Sequence, residues 1–507
     1  HWVGSDADFK KAVEEINKSG DEENEIILDD EVITLEGDTT EYTLRRGRTT
    51  IKGEGHKISI KSKAGITVAG KDTVLNLGAE KYDGVLTIDG DTRNGFVSVL
   101  EGATANMYEN VTLQNRKFTG NACVVIMGSN SVFNMYGGVI EKCRAVIADS
   151  GATFHMLSGK IEDCEVDGNG VILVYGESKF IMDGGTISGC EADAGGGLYA
   201  DNSTVTINNG TISECTAAIK EGGGLYATNG STININSGTI SKCTADNGGG
   251  LYADNSTITI SGGTISECEA LTDNGGGLYA DNSTVTISGG TISGCKGVWG
   301  GGLYAENSST IEISGGTISG CTVGAGGGLF VDSSTVRISG GIISKCITSD
   351  TGNGGGLYAY NSTLNITGGT IKDNKAAHGG GVALIGKTTF EKPITNWTVI
   401  GNEAYATGGV GGGIKLENGS MDVSAGSNRI YNNTADGHGA DIFLLNDSST
   451  IKLPNAANMY HDSSINIDGW YKDDNPRYTP SKDGKAVTSL QLSGPLSLVA
   501  SYKASPV

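Results

Sequence analysis

Ten cysteines, eighteen tyrosines and a surplus of carboxylates hold most of the reactive chemistry in this sequence. Nine of the cysteines (Cys143, Cys164, Cys190, Cys215, Cys243, Cys268, Cys295, Cys321 and Cys346) recur at one position of a repeated motif. Cys123 falls nearer the start of its own copy. Thiols in register allow three chemistries. They can stack reduced and buried, as small hydrophobes. They can bridge neighbouring copies, because a strand spacing of about 4.8 Å lies within the Cα range of a disulfide. They can hold a metal. The odd number in the column, and the one strained direction every bridge would take, weigh against the second. The lack of a His or a paired Cys-x-x-Cys in the column weighs against the third. Buried, reduced thiols are the favoured expectation. Asparagines bracket the run, Asn115 before it and Asn374, Asn402 and Asn433 after it. Their amides can hydrogen-bond up and down a stack.

A second column could bind rather than react. Tyr199, Tyr226, Tyr252, Tyr279, Tyr304, Phe330 and Tyr358 recur beside a triple glycine, and alternation points them outward. Two residues further on, Asp201, Asp254, Asp281, Glu306 and Asp332 form a nearly aligned acidic row. An aromatic row flanked by carboxylates could grip a glycan or a protein strand, or simply stabilise the stacking. The acidic row could recruit Ca²⁺, but a solvated face is the favoured reading. The run from Ile385 to Trp397 lengthens its copy and carries an exposed-looking Trp397, the best single irregularity for a specific site.

Signals for catalysis are weak. The adjacent carboxylates Asp29-Asp30 and Asp473-Asp474 would face opposite ways in a strand, so neither makes an acid/base couple. The six histidines show no ligand spacing, and His378 reads as a solvated turn residue. Near-identical copies with short loops argue for a surface rather than a singular constellation. No catalytic residue, cofactor or metal ligand is expected. A Thr-x-Thr pattern at Thr204/Thr206, Thr257/Thr259 and Thr284/Thr286 resembles an ice-binding face, but Glu312 and Arg337 interrupt it with charge.

The elements that must position these columns are strands. The leucine of the triple-glycine motif falls at 198, 225, 251, 278, 303, 329 and 357, a period of about 26 residues. Degenerate copies surround these. Within one copy Leu198, Ala200, Val205, Ile207 and Ile212 alternate with Tyr199, Thr204, Thr206, Thr211 and Ser213, which is period two. Three short strands per copy, wound once per turn, predict an all-β, right-handed parallel β-helix of about fifteen coils. Ahead of it, Phe9, Ala12, Val13 and Ile16 recur at helical spacing, with Ser5 and Asp8 at capping-box spacing and Gly20 as a stop. Residues 1–44 are therefore expected to cap the helix, 45–460 to form it, and 461–507, which lose the repeat, to close it as a β cap.

Composition agrees with such a rod. Eighty-one glycines among 507 residues lack a collagen period, and a net charge of −22 disfavours nucleic acid and anionic membranes. No apolar run reaches the roughly 18 residues of a membrane span. The chain begins without Met or a leader, as expected of a mature or excised form.

Gly380-Gly381-Val382 and Ile371-Lys372-Asp373-Asn374 resemble the GGA-[ILV] and F-x-x-N repeats of polymorphic outer-membrane proteins, with Gly and Ile as the departures. More broadly the chain resembles adhesin-like, pectin-lyase-fold surface proteins of gut and commensal bacteria, well over 45–460 and loosely at the ends. The resemblance implies a non-enzymatic, extracellular adhesin-like or spacer domain, a monomeric rod contacting host glycan or surface protein. The alternative is a polysaccharide-active lyase or hydrolase on the same fold. The eight aromatic residues named above, from Tyr199 to Trp397, are the expected contact residues.

Overall fold

The alternation of each copy becomes strand structure residue for residue. The computed structural model describes residues 1–452 except 20, 82–83, 93–94, 116–121, 424, 427, 438 and 446–448, and beyond them the strands Trp470–Tyr471, Leu490–Gln491 and Leu496–Leu498. The chain divides into two compact units, His1–Ala245 and Asp246–Val507, each wound as a parallel β-helix.

In the first unit, the helix Asp6–Lys18 starts at Ser5, whose hydroxyl accepts from the Asp8 N–H. Phe9, Ala12, Val13 and Ile16 are buried, as their spacing predicts. Ser19 caps the C-terminus, and Gly20 lies outside the described residues. Asn17 ties the helix to the first coil, donating to the Thr43 carbonyl at 2.7 Å and accepting from the Arg45 N–H at 2.8 Å. The strands then wind in register: Leu198–Asp201 pairs with Leu225–Thr228, Thr204–Ile207 with Thr232–Ile235, and Thr211–Ser213 with Thr239–Ser241. Leu198, Ala200, Val205, Ile207 and Ile212 fill the interior.

The second unit repeats this pattern. Leu251–Asp254 pairs with Leu278–Asp281, and that strand with Leu303–Glu306. Three principal strands per coil match the expectation, and a short fourth strand follows the cysteine, as in Lys296–Trp299 against Thr322–Ala325. Between the first and second strands the chain turns on a left-handed residue, Asn255, Asn282 or Asn307, a residue type that tolerates this region. The serine that follows points inward. Ser256 donates its N–H to Ser283 Oγ at 3.0 Å, and Ser283 does the same to Ser309 Oγ, a buried polar column the sequence reading passed over. Three antiparallel pairings end this unit: Leu496–Leu498 on Ile442–Leu444, Trp470–Tyr471 on Leu496–Leu498, and Leu490–Gln491 on Thr450–Ile451. The rest of 461–507 lies outside the described residues.

Two register details correct the cysteine column. Leu113 pairs with Ile140 and Gln114 with Glu141, which sets Asn115 opposite Lys142, one residue short of Cys143. The matching position, 116, lies outside the described residues. Cys123 is not an isolated thiol. Ala122 pairs with Arg144, which sets Cys123 opposite Ala145 and two residues off Cys143, and the two cysteines form a diagonal disulfide across 6.5 Å between Cα atoms. A search for partners at the same repeat position misses this diagonal neighbour.

Candidate functional site

The eight remaining cysteines, Cys164 to Cys346, are free and buried. A left-handed residue precedes several of them, Glu214, Lys242, Glu267 and Lys345 among them, and turns the next side chain inward. Cys215 donates to the Ser213 carbonyl at 3.3 Å, and Cys346 to that of Ser344 at 3.4 Å. In the first unit, hydrogen bonds to the thiols of Cys190 and Cys243, together with burial, hold Cys215 well above the usual thiol range. Bonds to Cys268 and Cys321 and burial do the same for Cys295 in the second unit. Thiols held protonated are poor nucleophiles.

In the second unit asparagines continue the position, and their bonds are fully paired along the axis. Asn374 Oδ1 accepts the Cys346 N–H at 2.9 Å, Asn402 Oδ1 accepts the N–H and Nδ2 of Asn374, and Asn433 Oδ1 accepts the N–H and Nδ2 of Asn402. Asp441 ends the run, accepting from Asn433 Nδ2 at 2.8 Å.

The aromatic column stacks as its spacing predicts but does not present its faces. Tyr199 and Tyr226 meet edge to face at 5.1 Å in the first unit. In the second, Tyr252–Tyr279, Tyr279–Tyr304, Tyr304–Phe330 and Phe330–Tyr358 follow at 4.5 to 5.1 Å. Tyr199 and Tyr252 are only 9% exposed and Tyr304 only 3%; Tyr226 and Tyr358 are half-buried. The rings alternate with the interior residues and stack as expected, but they are shielded, which corrects the expectation of an open contact row. Each ring is sandwiched between its neighbours, and the first glycine of the triplet lies against its base: a Cβ on Gly300 would stand 2.8 Å from Tyr304 Cβ.

The acidic row is internally satisfied. Both Tyr279 and Tyr304 donate their hydroxyls to Glu306. Burial first, then Glu306, raises both phenols above the usual range. Asn307 Nδ2 donates to Asp281 at 2.7 Å. Among the described residues no group of three His, Cys, Asp or Glu side chains is placed to hold a metal ion. On the threonine face, Arg337 pairs with Glu312 at 3.7 Å and with Glu391 at 3.2 Å.

Trp397 is buried, with no exposed surface, which corrects the exposed reading. The long coil folds its insertion inward: Ile394 donates its N–H to the Asp422 carbonyl and Trp397 its N–H to Asn428 Oδ1. Trp299, by contrast, is 45% exposed, and Trp2 is more exposed still. The Trp299 ring lies nearly parallel to Phe330 at 5.6 Å, beside Gly324, and Val298 next to it is also exposed. The signal for it was the unrepeated Val298-Trp299 before a triple glycine.

The column also breaks. Register places Ala383 after Tyr358, then Lys415, then Phe443. Lys415 is half-buried and its ammonium donates to Asn353 Oδ1 at 3.0 Å. His378 is half-buried rather than solvated, and its Nδ1 accepts the Val410 N–H at 3.2 Å. Burial lowers the pKa of both, and the Lys415 charge lowers that of His378 further.

Residues 223–403 match the family described as right handed beta helix region. With the parallel winding above, the match supports a right-handed, pectin-lyase-like β-helix. No curated protein and no solved structure matches the chain. No helix among the described residues is long and apolar enough to cross a membrane.

Proposed function

We propose that this chain is a non-enzymatic, extracellular binding and spacer module, monomeric and similar in role to the adhesin-like surface proteins of commensal bacteria. The reading draws on the in-register coils, whose columns are spent on stacking, and on an exposed aromatic platform in the second unit, Trp299 backed by Phe330. A ring held flat by a second ring offers its free face to a sugar or a partner side chain without losing rotamer entropy on binding. The Cys123–Cys143 disulfide favours an oxidising compartment.

A host glycan array and an overlay on host surface proteins test this. Binding that weakens about tenfold or more in Trp299→Ala, with melting unchanged, supports it. Binding unaffected by that change, or no binding beside robust depolymerisation of pectins, mucin glycans or uronic-acid polymers, overturns it. The second outcome would favour a polysaccharide-active enzyme. One observation leans that way, the singular break in the column at Lys415 and His378.

A further inference from the structure

Lys415 occupies a position that the preceding coils of its unit fill with Tyr252, Tyr279, Tyr304, Phe330 and Tyr358. Asn353, His378 and Val410 take equivalent places in three successive coils, since Asn353 bridges His378 and Gly379 donates its N–H to the Val410 carbonyl. To reach Asn353, the Lys415 side chain crosses the coil that carries His378 and Ala383. Ala383 supplies no ring there, so the ammonium replaces an aromatic.

The donors at this break exceed the acceptors. An ammonium has three N–H groups, and the structure gives Lys415 one partner, Asn353 Oδ1. His378 spends Nδ1 as an acceptor of the Val410 N–H. Its neutral form therefore carries the proton on Nε2, a second donor. Glu417, two residues along the chain and just past the strand Ile414–Leu416, acts on Lys415 and Tyr358 through its charge. Among the described residues it forms no ion pair with Lys415. A half-buried cation with unused donors in a chain of net charge −22 is a place for a small anion. One positive charge matches one negative charge, and the surrounding acidic field disfavours a dianion or polyanion.

We propose that Lys415 Nζ and the Nε2–H of His378 bind the carboxylate of a small monoanionic ligand at the break in the aromatic column. Glu417 competes for the same cation and weakens the site. The assignment does not depend on the Trp299 platform.

The test is a titration of the full chain, with isotope-labelled histidine, by sodium acetate at constant ionic strength. Sodium chloride and inorganic phosphate serve as comparisons, and His378→Gln assigns the resonance. The expected result is a saturable shift of the His378 signal with acetate and none with chloride. Lys415→Met should lose at least tenfold in acetate affinity. Glu417→Gln, a half-buried polar change that leaves Lys415 in place, should gain severalfold. Equal shifts with chloride, tighter binding of phosphate than acetate, retained affinity in Lys415→Met, or unchanged affinity in Glu417→Gln would each overturn the proposal. The Glu417→Gln result decides the matter if Lys415→Met does not fold.

Discussion

Replacing Asn402 with Ala should destabilise the C-terminal unit more than any surface change. Asn402 is fully buried. Its Oδ1 accepts the N–H and Nδ2 of Asn374, both at 3.0 Å. Its Nδ2 donates to the carbonyls of Ile371 and Ile400 at 3.1 and 3.2 Å, and to Asn433 Oδ1 at 2.9 Å. Alanine removes all of these at once and leaves their partners buried without water. The Nδ2 group shares two hydrogens among those three acceptors, so about four full bonds are lost; at about 1 kcal/mol net per bond, the loss is on the order of 4 kcal/mol before any cavity contribution. That approaches the whole stability of a small domain, about 5–15 kcal/mol. Asn402→Cys should recover part of it, because a thiol there can donate to the Ile400 carbonyl as Cys346 does to Ser344. It cannot accept the Asn374 amide with similar strength. Urea unfolding followed by the buried Trp397, with hydrogen exchange at the Asn374 amide, reads both effects. A loss under about 1 kcal/mol in Asn402→Ala, or unchanged exchange at Asn374, would refute the claim that the amide stack stabilises this unit.

Other expectations follow from particular contacts. The native protein should react with a thiol reagent slowly, denaturation without reductant should expose eight thiols, and reduction should bring the total to ten; fewer than eight would mean that further bridges exist. Arg144 is buried and donates to the carbonyls of Asp167, Asn169 and Gly170, so Arg144→Ala should cost about 3 kcal/mol or more in a denaturation experiment on the N-terminal unit. A value near zero would remove this clip from the account. Burial and the Lys415 charge lower the His378 pKa, so the unfolded chain takes up that proton first as the pH falls. The stability held by neutral His378 is complete above about 6.5 and is lost as the pH drops from there through the folded-state value. Melting temperature should fall across that window, less so in His378→Gln; identical slopes would contradict the assignment.

The fold was legible because its signal is local. Leu198, Ala200, Val205, Ile207 and Ile212 alternate within a few residues of each other, and burial of one face follows from strand geometry alone. The Ser5 cap and the apolar stripe of the first helix were readable for the same reason. Stacking of the tyrosines followed from the period. Their shielding did not, because alternation gives a side chain's direction but not what folds over it. The turn of each coil, with its glycine against the ring base, decides that. The same gap explains Trp397, read as exposed because its coil is long, whereas the insertion folds inward.

By itself, then, the sequence determined the winding of the coils, the columns along them and the identity of most core positions, since a regular repeat makes each residue's neighbours its own counterparts. Only the tertiary structure decided what happens where the repeat fails. Cys123 meets Cys143 diagonally, Trp299 lies across Phe330, and Lys415 crosses a coil to Asn353. Those contacts join unlike positions of different coils, and no period in the sequence encodes them.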